Sequence, residues 1–153
     1  MSDIETRLEE MGVVLNTPAA PAANYVPFVL AGGLLYVSGQ ISTSGGAPLK
    51  GKLGADMAVE QGAQAARSCA ISLLAQVKVA CDGDLSRLKR VVKLFGLVNS
   101  TPDFQEQHKV INGASDFLVE ALGEAGRHAR SAVGAPSLPL GVAVEIEGIF
   151  EIA

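Results

Sequence analysis

Ala129 to Ile152 reads ARSAVGAPSLPLGVAVEIEGIFEI. Two segments of strand character, Ala129–Ala135 and Val142–Ile152, flank the loop Pro136–Leu140. In the second segment Val142, Val144, Ile146, Gly148, Phe150 and Ile152 share one parity. Glu145, Glu147 and Glu151 share the other with Ala143 and Ile149. The apolar parity is expected to meet helices. A hairpin turn at Pro136–Pro139 would set Ala135 opposite Leu140 and Arg130 opposite Glu145. An arginine can grip a carboxylate with two parallel hydrogen bonds, and a neighbouring glutamate can activate a water. From spacing alone, a cross-strand salt bridge serving fold or assembly is the simpler reading.

Working outward, Val91–Val98 is apolar at both parities apart from Lys93, which predicts a central strand. Thr101-Pro102 offers a cap and a first-turn proline for a helix with Phe104, Ile111, Ala114, Leu118 and Leu122 on one side, closed by Gly123 and Gly126. Before the central strand, a helix capped by Asp56 and running to about Ala80 carries Ala63, Ala66, Ala70, Leu73, Leu74, Val77 and Cys81 at helical spacing. The small residues of its first half allow close packing. Thr43–Gly54 reads as a loop. Phe28–Ala31 and Leu34–Ser38 flank Gly32-Gly33 as a two-residue hairpin. Ser2-Asp3-Ile4-Glu5 has capping-box spacing and opens a short helix with Ile4, Leu8 and Met11 on one face, which Gly12 ends. Residues 15–24 read as an extended connector.

The order helix, hairpin, helix, strand, helix, hairpin predicts one α+β domain over residues 1–153, with 1–24 as N-terminal helix and connector. Helices lie on one face of a mixed sheet. The other sheet face is half apolar, which predicts a subunit interface. The chain has 153 residues, 12 Lys and Arg against 16 Asp and Glu, and a net charge of −4, so a basic footprint for nucleic acid is absent. Its seven aromatics, two Tyr and five Phe, are few for a single-strand stacking surface. No apolar run is long enough to span a membrane, and the polar N-terminus is not a targeting peptide; a cytoplasmic protein is expected. His108 and His128 have no metal-ligand spacing. Cys69 and Cys81 read as small buried hydrophobes. P-loop, dinucleotide and nucleophile-elbow motifs are absent. Tyr25 and Ser38-Gly39-Gln40 are a second candidate cluster, with Gly39 permitting close backbone approach; a tyrosine there is otherwise a core residue.

These segments resemble the RidA/YjgF family, also labelled the L-PSP endoribonuclease family. The stretch from Arg130 to Ile152 is similar to its C-terminal signature, and NYVPFVLAGGLLYVSGQIS (Asn24–Ser42) to its N-terminal tyrosine and Ser-Gly-Gln-Ile strand. FQEQHKVINGASDFLVEALGE resembles the helix whose motif asparagine falls on Asn112. The resemblance covers Tyr25 to Ala153. It implies a chorismate-mutase-like α+β fold and a homotrimer with clefts between subunits. It implies hydrolysis of reactive enamines or imines to 2-keto acids and ammonia, with no metal or organic cofactor. Arg130 would clamp the substrate carboxylate and Glu145 position a water. Tyr25, Ser38, Gly39, Asn112 and Ala132 would line the cleft. Where many members carry a cysteine, this chain has Ala132, so thiol chemistry does not transfer. The alternatives are a trimer that binds small carboxylates without turnover and, third, an endoribonuclease.

Overall fold

The computed structural model describes residues 2–21 and 23–153. The elements are α1 (Asp3–Glu10), β1 (Phe28–Ala31), β2 (Leu34–Ile41), β3 (Thr43–Ser44), β4 (Ala47–Pro48), α2 (Val59–Ala80), β5 (Leu88–Asn99), α3 (Gln107–Leu122), β6 (Ala129–Ala135) and β7 (Val144–Ile152), with short 3-10 turns at 85–87, 123–126 and 139–141. The sheet order is β1-β2-β7-β5-β6. β5 and β6 are parallel and the other neighbours antiparallel. α2 packs across β7 and β2, and α3 across β5 and β6. The result is an α+β fold with helices on one face of a mixed sheet.

The alternation of β7 holds. Val144, Ile146 and Phe150 are fully buried and Ile152 nearly so, whereas Glu147 and Glu151 are exposed. β5 is an internal strand, as its two-sided apolar pattern requires, with Val91, Leu94 and Val98 buried under the helices. Gly32 and Gly33 take φ of +59° and +80°, the left-handed pair a two-residue hairpin needs. The Ser2–Glu5 capping box forms, with Ser2 Oγ accepting from Glu5 N and Glu5 Oε2 accepting from Ser2 N.

Four expectations change. β6 and β7 do not pair as a hairpin: β6 is an edge strand beside β5, and β7 lies on the far side of β5. The connection from 136 to 143 passes over the C-terminal end of β5. Asn99 holds it there, donating from Nδ2 to Val142 O at 3.1 Å, while Lys52 Nζ donates to Asn99 Oδ1 and Pro136 O at 2.6 Å each. Thr43–Gly54 is not all loop; Gly45-Gly46 turns the small ribbon β3–β4. Asp56 does not cap α2 but accepts from Lys52 N at 2.7 Å, and Gln61 Oε1 accepts from Ala58 N at the helix start. Thr101 and Asp103 close a turn through a 2.7 Å hydrogen bond, so α3 begins only at Gln107.

The small residues on α2 act as expected. A Cβ at Gly113 of α3 would run into the backbone of Ala63. Gly113→Ala is therefore expected to lower stability by about 1–3 kcal/mol through overpacking. A thermal melt checks this; an unchanged melting temperature would contradict the close crossing.

Candidate functional site

The predicted site residues fall into two groups. Tyr25, Ser38, Gly39 and Glu145 line one cavity of about 410 Å³. It opens where β1 ends opposite Val37, leaving Ser38–Ile41 without a β1 partner. The extended N-terminal strap passes this edge. Ser38 ties it down, its N–H donating to Pro27 O at 2.9 Å and its Oγ to Val26 O at 2.8 Å. The β2–β7 register shifts between Val37 and Gln40, a bulge at Ser38-Gly39. The bulge brings Gly39 against Glu145, and a Cβ there would lie 2.8 Å from Glu145 Oε2. Tyr25 is 58% exposed, so it is not a core residue.

Arg130, Asn112 and Ala132 form the second group, at the β6–α3 edge. Arg130 pairs laterally with the core residue Leu94 and so points to the helix side of the sheet. Glu145 pairs with Leu97 and points to the open side. The two side chains therefore leave opposite faces, two strands apart and three residues out of step along β5, roughly 14 Å in the plane of the sheet. The cross-strand Arg130–Glu145 contact does not form within the chain. Arg130 Nη1 donates to Ser115 Oγ at 3.0 Å and Nη2 to His108 O at 3.2 Å. Asn112 lies between these two on the same face of α3, four residues after His108 and three before Ser115. Ala132 shares the Arg130 side of β6 and packs against the core.

Neither charged residue finds a counter-ion among the described residues. Burial raises the pKa of Glu145, and the Glu147 carboxylate raises it further. Of the five N–H donors of Arg130, these bonds use two.

Two groups that sequence reasoning missed support Arg130. Ser115 Oγ lies 2.9 Å from His128 Nε2, and His128 Nδ1 lies 2.6 Å from Gly126 O. With Nδ1 donating to the carbonyl, Nε2 accepts from the Ser115 hydroxyl, which in turn accepts from Arg130. Burial lowers the pKa of His128, outweighing the Gly126 hydrogen bond, and the Arg130 charge adds to the lowering. The spacing of residues 115, 128 and 130 shows no periodicity linking helix to strand, so no sequence signal marks this chain of bonds. Cys69 and Cys81 are buried, and burial pushes the Cys69 thiol far up, which leaves no reactive thiolate. No cluster of metal-ligating side chains occurs among the described residues.

The family model described as "YjgF/chorismate mutase-like, putative endoribonuclease" matches residues 5–150. The chain belongs to the YjgF/RidA family. Its sheet and helices are the family's chorismate-mutase-like fold. Protein TCP17 of Trypanosoma cruzi is 47% identical over 151 residues, covering 97% of this chain and 94% of that protein. The crystal structure of Atu1372 from Agrobacterium tumefaciens, a protein with unknown function, is 52% identical with a TM-score of 0.91, over 99% of this chain and 93% of that one. A Shewanella oneidensis protein carrying the family's endoribonuclease description is 38% identical with a TM-score of 0.92, over 97% of this chain and 99% of that one. These relatives span the N-terminal helix and strap as well as the sheet. No helix among the described residues is long and apolar enough to cross a membrane.

The His128 ring is expected to titrate below the ordinary histidine value of 6.5. Since its folded pKa is depressed, the stability it gives is full above the unfolded value and is lost as pH falls through the folded one. Proton NMR of the ring reads this directly, and a His128 pKa at or above 6.5 would contradict the bonding pattern.

Proposed function

We propose that this protein is an enamine/imine deaminase acting as a homotrimer, with each site completed by two subunits. The observation that carries the reading is that Arg130 and Glu145 have no counter-ion among the described residues and lie in separate groups of one chain, on opposite faces of the sheet. A ring of three subunits can bring the Arg130 edge of one protomer to the Glu145 cavity of the next. The surface for such contact is the open sheet face, where Val29, Tyr36 and Val133 are 52%, 45% and 39% exposed, with Ile149, Phe95 and Leu97 only half-buried.

In this reading the substrate carboxylate supplies the missing partner of Arg130. The imine carbon then faces Glu145. Glu145 takes a proton from water as the oxygen bonds to that carbon and passes it to the imine nitrogen, giving a neutral carbinolamine. Glu145 then takes the carbinolamine hydroxyl proton and delivers it to the amine as the C=O forms and the C–N bond breaks, leaving a 2-keto acid and ammonia. An imine carbon is already electrophilic, so the step needs a positioned carboxylate and no cofactor. Gly39 leaves room for that carboxylate, Ser38 holds the strap that presents Tyr25, and Asn112 and Ala132 form the wall beside Arg130. A cytoplasmic setting, where pyridoxal-phosphate enzymes release such imines, belongs to this reading.

Carboxylate capture without turnover would use the same Arg130 donors. The raised pKa of Glu145 favours catalysis, because a pure anion receptor gains nothing from a carboxyl beside the bound anion. Endoribonuclease action is disfavoured by the net charge of −4 and by the engagement of His128 with Ser115 and Gly126.

The test is hydrolysis of 2-imino acids generated by an amino-acid oxidase. Wild type is expected to accelerate imine loss. Arg130→Ala is expected to lose about 10-fold to 100-fold, as a charge-assisted contact is worth about 1.5–3 kcal/mol. Glu145→Gln is expected to lose turnover while retaining ligand binding. The rate should fall as pH drops through the raised pKa of Glu145, and Glu147→Gln should move this limb to lower pH. Wild-type rates in Arg130→Ala would overturn the assignment.

A further inference from the structure

The Glu145 cavity does not end at Gly39. A second cavity of about 630 Å³ runs from it beneath the N-terminal strap, and Ala19, Gln40 and Gln76 line both. The strap forms one wall and α2 the other. Gln76, in the middle of α2, is 6% exposed. Its side chain takes no hydrogen bond among the described residues, yet no fully enclosed side-chain polar atom among them lacks a partner. Its amide therefore opens onto the shared neck of the two cavities. Gln40 donates from Nε2 to Ser38 O at 3.0 Å, which leaves its Oε1 to accept. Asn16, Thr43 and Ser72 add neutral polar groups further along, and no ionisable side chain lines the second cavity among the described residues.

The Gln76 amide has no protein partner among the described residues and faces the cavity, so its hydrogen bonds fall to whatever occupies that cavity, and a ligand group that reproduces them can displace water there. The walls carry no charge to neutralise an ionic group. An aliphatic group would leave the Gln76 amide without a partner, which disfavours it most. A carboxamide matches both ends, donating to Gln40 Oε1 and accepting from Gln76 Nε2.

We propose that Gln76, with Gln40, selects the substrate side chain: the protein takes carboxylates whose far end bears a neutral hydrogen-bonding group, a carboxamide before all others. This rests on the proposed site at Glu145 but not on turnover there. The N-terminal helix and strap exist, in this account, to build the specificity channel. Leu8 seats α1 in the core, Val13 N donates to Leu8 O at 2.9 Å, and the strap runs on from there to Ser38.

Three unreactive probes test it by calorimetry: glutaramate, its aliphatic isostere 5-methylhexanoate, and the dianion glutarate. Wild type is expected to bind glutaramate about tenfold tighter than 5-methylhexanoate, the worth of one to two neutral hydrogen bonds, and tighter than glutarate. Gln76→Met keeps the side-chain volume and is expected to abolish the preference. Gln40→Met provides a second arm should the first variant fold poorly. Equal binding of the amide and aliphatic probes, no binding of either, or a preference that survives in both variants would overturn the proposal. None of the probes can be deaminated, so discrimination among them by a protein that hydrolyses no imine would overturn the deaminase reading alone.

Discussion

β7 lies between β2 and β5 with two unlike faces, and the remaining elements are placed by that difference. One face presents Val144, Ile146 and Phe150, all fully buried, against α2. Burying each such side chain is worth about 1.5–3 kcal/mol, so the strand cannot be reversed or slipped by one residue without exposing them to water. The same constraint turns Glu145, Glu147 and Ile149 to the open side. With β7 in the middle, β6 is left at the edge beside β5, and Arg130 is carried to the helix side of the sheet. The separation of the arginine from the glutamate thus follows from where the most strongly alternating strand must lie.

That separation has an electrostatic consequence. A guanidinium and a carboxylate that met within the chain would neutralise one another and leave nothing to recognise an anion. Held apart, Arg130 keeps unused donors and Glu145 keeps a raised pKa. In the proposed assembly another copy covers the open sheet face and completes the two half-sites. Ser115 and His128 keep the guanidinium oriented meanwhile, with the neutral ring accepting and the hydroxyl passing the bond on to Arg130.

Much of this was legible in the residues. The β7 alternation, the Gly32-Gly33 hairpin, the β5 strand and the α2 stripe each follow from periodicity or backbone freedom. The separation of β6 from β7 by β5 was not legible, because a short connection ordinarily joins neighbouring strands. Here the buried side chain of Asn99 and the long reach of Lys52 support a connection over the end of β5, and neither contact has a local signature. Gly39 signalled a close backbone approach, and the structure gives it the Glu145 carboxylate. Gln76 lies on a helix among apolar neighbours and its spacing gives no hint of a cavity. Only the path of the strap reveals what faces it.

The central claim is that Arg130 of one subunit and Glu145 of another form one site. Complementation measures it most directly. Arg130→Ala and Glu145→Gln chains, each strongly impaired alone, would be co-assembled in equal amounts and assayed for imine hydrolysis. Random assembly around a three-fold ring restores both native halves at about a quarter of the sites, so activity near a quarter of wild type is predicted. Mixed assemblies as inactive as either variant would place both residues in one subunit's site and contradict the account.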